Sequence, residues 1–226
     1  MASGAGTAMI DSIVYTLYGY KGSGSAAIEC ALDVTAAPYQ LVAAASWDKS
    51  SAVDALAQVN PLRQVPTLVT PDGTVLSESA AILIHLGLQF PEAALLPRSP
   101  ARRAIAIRGL VFIAANCYSA ISVIDFPERW LAEPSDAAKE NLKAGSKTRL
   151  LANWEIFADS LTPGRYLCDE QPGALDLLAA VVSRWDGARE HLARTRPALV
   201  EALRRIDDDE RFRAVFLRHW SPNQNL

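Results

Sequence analysis

The chain has 226 residues, enough for one large or two small domains that each bury a core. Half of its residues are hydrophobic and 21% are charged, which argues against a disordered chain. The net charge of −3, from 22 Lys and Arg against 25 Asp and Glu with no long basic run, argues against a nucleic-acid partner.

Residues 1–9 lack the basic start and long apolar run of a signal peptide, and read as a flexible leader, with structure beginning near Ser12. Ser12 to Tyr18 is β-branched and aromatic, a buried strand. The turn signal Lys21-Gly22-Ser23-Gly24-Ser25 runs into a helix over Ala26–Val34, where Ile28, Ala31 and Leu32 share a face. A short strand, Tyr39–Val42, follows Pro38, and a short helix over Ser51–Val59 stops at Asn60-Pro61. Thr67-Leu68-Val69 and Thr74-Val75-Leu76 flank Pro71-Asp72-Gly73 as a hairpin, and Ser79–Leu88 closes the unit as a helix. The predicted order is βαβαββα, an α/β domain over residues 10–90. Residues 91–100 hold three prolines and read as a linker. Beyond it, 101–125, 135–161, 174–185, 198–205 and 209–219 carry helical spacing, so residues 101–220 are expected to be all-α. Pro127, Pro134, Pro163, Pro172 and Pro197 punctuate these helices. No apolar stretch of membrane-spanning length is expected, so a soluble, cytoplasmic protein without a membrane partner is predicted. Three widely spaced cysteines, Cys30, Cys117 and Cys168, suit a reducing compartment; neither they nor the scattered His85, His191 and His219 have metal-ligand spacing.

Three features bear chemistry. A proline before a strand, Val65-Pro66-Thr67, suits a cis bond that turns the Val65 carbonyl and N–H outward to pair an extended peptide; an edge-strand proline reads equally well. Ser77-Glu78-Ser79 opens a helix, whose free N–H groups hold a carboxylate while Glu78 accepts from an amine; plain capping is the bland alternative. The hairpin between them puts both at one end of the sheet, which favours a peptide-like ligand over Gln64–Ser79. In the Gly-Ser turn, a hydroxyl at the helix start can stabilise a thiolate, against a simple N-cap role.

Leu17-Tyr18-Gly19, the Ser-bearing turn, Asn60-Pro61-Leu62-Arg63-Gln64-Val65-Pro66-Thr67-Leu68 and Leu76-Ser77-Glu78-Ser79-Ala80-Ala81-Ile82 resemble the glutathione S-transferase superfamily, in its bacterial, serine-type form. The resemblance covers most of the chain. It implies a thioredoxin-like N-terminal domain, an all-α C-terminal domain, glutathione as co-substrate without a metal, and a homodimer. It implies that Val65 holds the cysteinyl backbone, that Pro66 is the cis-proline, and that Glu78 and Ser79 hold the γ-glutamyl end. Arg63, where the family often has glycine, or Gln64 would reach the glycyl carboxylate. Ser23 aligns with the catalytic serine, ahead of Ser25 and Tyr18 as candidates, while Gly24 stands where cysteine-type members keep their cysteine. Glu29 replaces a frequent arginine for no reason visible in the sequence. Asp176 falls in an N-capping box whose first residue, normally Ser or Thr, is Gly173. The acceptor pocket for a small hydrophobic electrophile is assigned to Asn116, Tyr118, Ser119, Asp125, Arg129 and Trp130; packing explains Phe126 and Trp130 as well, and Cys30, Cys117, Cys168 and His85 read as structural. The implied activity is a detoxifying glutathione transferase. Its rivals are a glutathione-dependent lyase, reductase or isomerase on the same first domain, and a non-catalytic glutathione-binding scaffold.

Overall fold

A computed structural model describes residues 14–162 and 164–220. The expected leader, the first residues of the Ser12 strand and Pro163 lie outside the described residues. Strand β1 (Tyr15–Gly19) pairs in parallel with β2 (Tyr39–Ala43) and antiparallel with β3 (Thr67–Val69), which pairs antiparallel with β4 (Val75–Leu76). The sheet order is β2-β1-β3-β4. Helices α1 (Ser25–Thr35), α2 (Val53–Val59) and α3 (Ser79–Gln89) complete the βαβαββα order. The hairpin turn works as its residues dictate: Gly73 takes φ +85°, and the Asp72 carboxylate accepts from Thr74 N–H at 3.0 Å.

The C-terminal region is helical: α4 (Pro100–Phe112), α5 (Ser119–Asp125), α6 (Asp136–Asp159), α7 (Ala174–Val182), α8 (Ala188–Thr195), α9 (Pro197–Asp207) and α10 (Glu210–His219). Helix α7 is apolar all round except for Asp176, and every one of its residues is buried. It packs against α1 and α3 on one side and α4 and α9 on the other, so a single core runs through both regions.

The structure departs from the sequence reading at several places. Helix α8 was unexpected, because only Ala188 and Leu192 supply its apolar face; its anchor is polar, with Arg189 donating to Ser183 Oγ at 2.6 Å, Ala180 O at 2.8 Å and Asp207 Oδ2 at 2.7 Å. Helix α7 ends at Val182, three residues before the expected Trp185, and Asp186 and Gly187 turn the chain at positive φ. The expected 101–125 helix forms as α4 and α5 joined without a break by a π-helical segment, Ile113–Tyr118. Residues 100–125 are also long and apolar enough to cross a membrane, contrary to expectation; here they pack on α6 and α7. The 91–100 stretch, expected as a linker, also packs on the fold: Leu95 and Leu96 are buried, and Leu95 O accepts the first N–H of α7, from Ala174, at 2.8 Å.

That last bond explains Gly173. A Cβ there would stand 2.8 Å from Leu95 O, so a serine or threonine cap has no room, and the Leu95 carbonyl takes over part of its work. Asp176 supplies the other half of the cap, accepting from Gly173 N–H and Leu167 N–H at 2.9 Å each. Burial pushes its carboxyl up to about 6, against the pull of those two N–H groups.

Glu29 also gains an account. It is 1% exposed on α1, and a buried carboxylate needs partners. It finds both on the last turn of α10: His219 Nε2 at 2.6 Å and Arg218 at 3.0 Å. His219 Nδ1 in turn accepts from Gly22 N–H at 3.1 Å, which leaves Nε2 as the protonated nitrogen facing Glu29.

Two outcomes follow from these buried carboxylates. Glu29→Ala strands His219 and Arg218 and is expected to lower unfolding stability by about 3–5 kcal/mol in urea titration; a loss below about 1 kcal/mol would mean that the pairing contributes little. Asp176 holds its proton to higher pH folded than unfolded, so its contribution is full below about pH 4 and is lost as pH rises to about 6. Across that window wild-type stability is expected to fall by on the order of 2 kcal/mol relative to Asp176→Asn; parallel stability–pH curves would contradict this.

Candidate functional site

The strand register brings three segments to one end of the sheet. Tyr18 at the end of β1 pairs with Thr67 at the start of β3, and Leu68 pairs with Leu76 at the end of β4. The turn after β1, the Val65-Pro66 bond before β3 and the start of α3 after β4 therefore lie side by side.

Asn60 organises the approach to β3. It is 5% exposed, and its Nδ2 donates to Gln64 O at 3.2 Å and Thr67 Oγ1 at 2.9 Å while its Oδ1 accepts from Leu62 N–H at 3.0 Å. Thr67 Oγ1 also donates to Gln64 O at 2.8 Å. With the loop clamped this way, the Val65–Pro66 bond is cis, and among the described residues the Val65 N–H and C=O make no hydrogen bond. Arg63 takes φ +53°, a conformation that suits glycine better, and its side chain and that of Gln64 are exposed.

At α3, Glu78 sits at φ +65° with an exposed carboxylate that forms no ion pair among the described residues. Its carbonyl starts the helix by accepting from Ile82 N–H at 3.0 Å, so the N–H groups of Ser79, Ala80 and Ala81 have no acceptor within the helix. A non-glycine residue at positive φ next to free N–H donors is a pattern of binding sites. The Ser79 hydroxyl lies among them, 7% exposed.

The turn after β1 is held from within. Tyr20 N–H donates to Ser25 Oγ at 3.2 Å and Ser23 Oγ at 3.3 Å, and the two hydroxyls are 3.0 Å apart. Ser25 is fully buried and reaches Tyr20 O at 3.4 Å, packed where Gly19 has no side chain. Ser23 is at the rim, 7% exposed, and accepts from Ser25 N–H at 3.3 Å. Tyr18 alternates to the face of β1 opposite Leu17, and its hydroxyl makes no hydrogen bond among the described residues. Tyr20, which sequence reasoning passed over, bonds Asp48 through its hydroxyl and meets Trp47 edge-on at 5.7 Å.

Of the six residues assigned to an acceptor pocket, Tyr118 comes to this turn: a Cβ on Gly24 would fall 2.0 Å from its hydroxyl. Asn116 and Ser119 bond their own helix, to Phe112 O at 3.1 Å and Ala115 O at 2.6 Å. The Asp125 carboxyl is raised by partial desolvation and then by Asp186. Arg129 lies over the Phe126 ring at 3.8 Å, and Trp130 is 58% exposed on the short 3₁₀ turn that follows α5. Cys117 is buried, and burial pushes its thiol up to about 12, the behaviour of a packed side chain; Cys168 is raised by burial to about 11. Among the described residues no cluster of His, Cys, Asp and Glu suits a metal.

Residues 25–89 match the glutathione S-transferase N-terminal domain. A GST-like protein of Escherichia coli K12, YncG, itself uncharacterized, is 31% identical over 175 residues, spanning 77% of this chain and 83% of that one. Among solved structures, a glutathione transferase homolog from Sulfitobacter with bound glutathione superposes with a TM-score of 0.78 at 24% identity, over 90% of this chain and 97% of its own. The bacterial GST BphK, in a ternary complex, gives 0.72 at 25% identity over 88% and 96%. With its N-terminal region matched by that family, a 31% identical GST-like relative covered over 83% of its length, and the same fold of sheet and helices, the chain belongs to the glutathione S-transferase superfamily.

Proposed function

We propose that the protein is a glutathione transferase that activates the glutathione thiol for attack on a hydrophobic electrophile. The observation that carries this reading is the convergence of unused donors and acceptors at one sheet end. The main chain of Val65 beside Pro66 is free to pair the cysteinyl backbone as an added strand. The Glu78 carboxylate accepts from the γ-glutamyl ammonium, and the Ser79 N–H and hydroxyl hold its carboxylate. Arg63, or Gln64, lies exposed beside Val65 to meet the glycyl carboxylate. That pose leaves the sulfur over the N-terminus of α1, where the helix dipole favours the thiolate.

Ser23 fits the role of thiolate donor better than Ser25. Its oxygen accepts from Tyr20 and Ser25 N–H groups, so its proton is shared only with the Ser25 hydroxyl 3.0 Å away and can be turned to a bound sulfur instead, whereas the Ser25 hydroxyl is sealed inside the turn. The thiol proton passes to water; sulfur then forms a bond to the electrophilic carbon as the leaving group departs with its electron pair. The α4–α5 helix with Asp125, Arg129 and Trp130 is the proposed acceptor wall. Pairing into a homodimer belongs to the same proposal, and exposed Leu62, Leu88, Ile105 and Val111 are apolar residues that an interface would cover. A cytoplasmic setting is supported by Cys30, Cys117 and Cys168, all free thiols.

Glu78→Ala is expected to weaken glutathione binding about tenfold or more by calorimetry, with stability little changed, as Glu78 makes no ion pair among the described residues. Undiminished affinity would remove Glu78 from the ligand site. In wild type, thiolate ultraviolet absorbance is expected to show a bound thiol pKa below that of free glutathione, and Ser23→Ala is expected to raise it. An unshifted thiol, identical in Ser23→Ala, would leave a binding protein rather than a transferase of this type.

A further inference from the structure

Gly24 lies at the start of α1 with φ −62° and ψ −11°, a conformation open to any residue, so its backbone gives no reason for glycine. The reason is its neighbour. The Tyr118 hydroxyl occupies the space of the missing Cβ, 2.0 Å from where that atom would be, with the end of the phenol ring at 3.1 Å. A side-chain hydroxyl from the helical region thus stands where residue 24 would project its own side chain, beside the N–H groups that open α1.

The aim of Tyr118 is built in. It is the last residue of the π-helical segment Ile113–Tyr118, and a π turn carries one residue more than an α turn, so it redirects the side chains that follow. The polar groups such a turn displaces are satisfied on purpose. Asn116 Nδ2 donates to Phe112 O at 3.1 Å, and Asn153, 4% exposed on α6, donates to Asn116 O at 2.8 Å. The Tyr118 ring rests against Trp185, with centroids 5.6 Å apart.

Resting on the glutathione reading above, we propose that the Tyr118 hydroxyl is a second hydrogen-bond donor to the glutathione sulfur, reaching it from the helical region opposite Ser23. The phenol oxygen sits in the space a Gly24 Cβ would fill, beside the N–H groups that open α1, and makes no hydrogen bond to a side chain among the described residues, so its proton is available to a sulfur over the helix end. The phenol keeps that proton: burial and then Asp125 raise it above its ordinary value, Gly24 N–H offsets this in part, and Glu78 raises it further. It therefore acts as a donor and not as the base that removes the thiol proton. Because Tyr118 also borders the helical region, the sulfur is held between both halves of the protein.

The test uses the full chain with glutathione and an activated aryl halide. Tyr118→Phe keeps the ring and is expected to bind glutathione within about threefold of wild type while raising the bound thiol pKa by about one unit and lowering kcat/KM about tenfold below that pKa. Gly24→Ala, which forces the hydroxyl aside, is expected to reproduce the same pKa rise, and the Gly24→Ala/Tyr118→Phe double variant to be no worse than Tyr118→Phe alone. A wild type that binds glutathione with a lowered thiol pKa that neither substitution moves would overturn the role of Tyr118 and leave the transferase reading intact. A wild type that fails to bind glutathione would overturn both.

Discussion

A buried carboxylate decides where the ligand end of α1 sits. A carboxylate buried as deeply as that of Glu29 is costly without partners, and among the described residues they come from the last turn of α10, docked against α1. Once His219 faces Glu29 through one ring nitrogen, its other nitrogen is left as an acceptor, and the Gly22 N–H fills it. The Gly-Ser turn is thereby fixed from the C-terminal end of the described chain as well as by its own serines. A loop rich in glycine, free to adopt many conformations alone, is held as a single one at the point where the proposed thiolate would need fixed donors.

The same logic of borrowed partners recurs at α7. Its first N–H is answered by Leu95 O from the connecting segment rather than by a serine or threonine side chain, and the absence of a Cβ on Gly173 is what lets that carbonyl in. The connection between sheet and helices is therefore part of the helix cap, and the orientation of α7 against α1 and α3 follows from it. Two glycines that break a family pattern, Gly173 and Gly24, do so for one physical reason: each yields its side-chain volume to a polar group from elsewhere in the fold.

Legibility in the sequence followed the range of the interactions. The hairpin, its Pro71-Asp72-Gly73 turn, and the nearness of Val65-Pro66 to Glu78-Ser79 are consequences of local chemistry and two-residue strand periodicity, so they could be read from 64–79 alone. Helix α7 was legible because nine consecutive buried residues leave an apolar signature. Helix α8 was not, since its anchor is the Arg189 network and not an apolar stripe. The role of Glu29 was invisible for a plainer reason: its partners lie 189 and 190 residues away. The π segment has no sequence signal either; Ile-Ala-Ala-Asn-Cys-Tyr contains no glycine or proline, and what sustains it is Asn153 on another helix.

The placement of Tyr118 bears on how a thiolate site can change its chemistry without changing its frame. A cysteine at position 24 would put sulfur beside a bound thiol, the geometry for disulfide exchange. Glycine there, with a phenol hydroxyl in the vacated space, puts a donor that cannot form a disulfide where a second reacting sulfur would stand. The helix dipole and the free N–H groups of α1 serve a thiolate in either case. What differs is whether the neighbouring group competes for the sulfur's electrons or only stabilises its charge. On the proposed role of Tyr118, the second arrangement leaves the sulfur's lone pair for an external electrophile and makes that stabilisation depend on the π turn that aims the phenol, so the proposal ties the reactivity of the thiol to the helical region that would hold the acceptor.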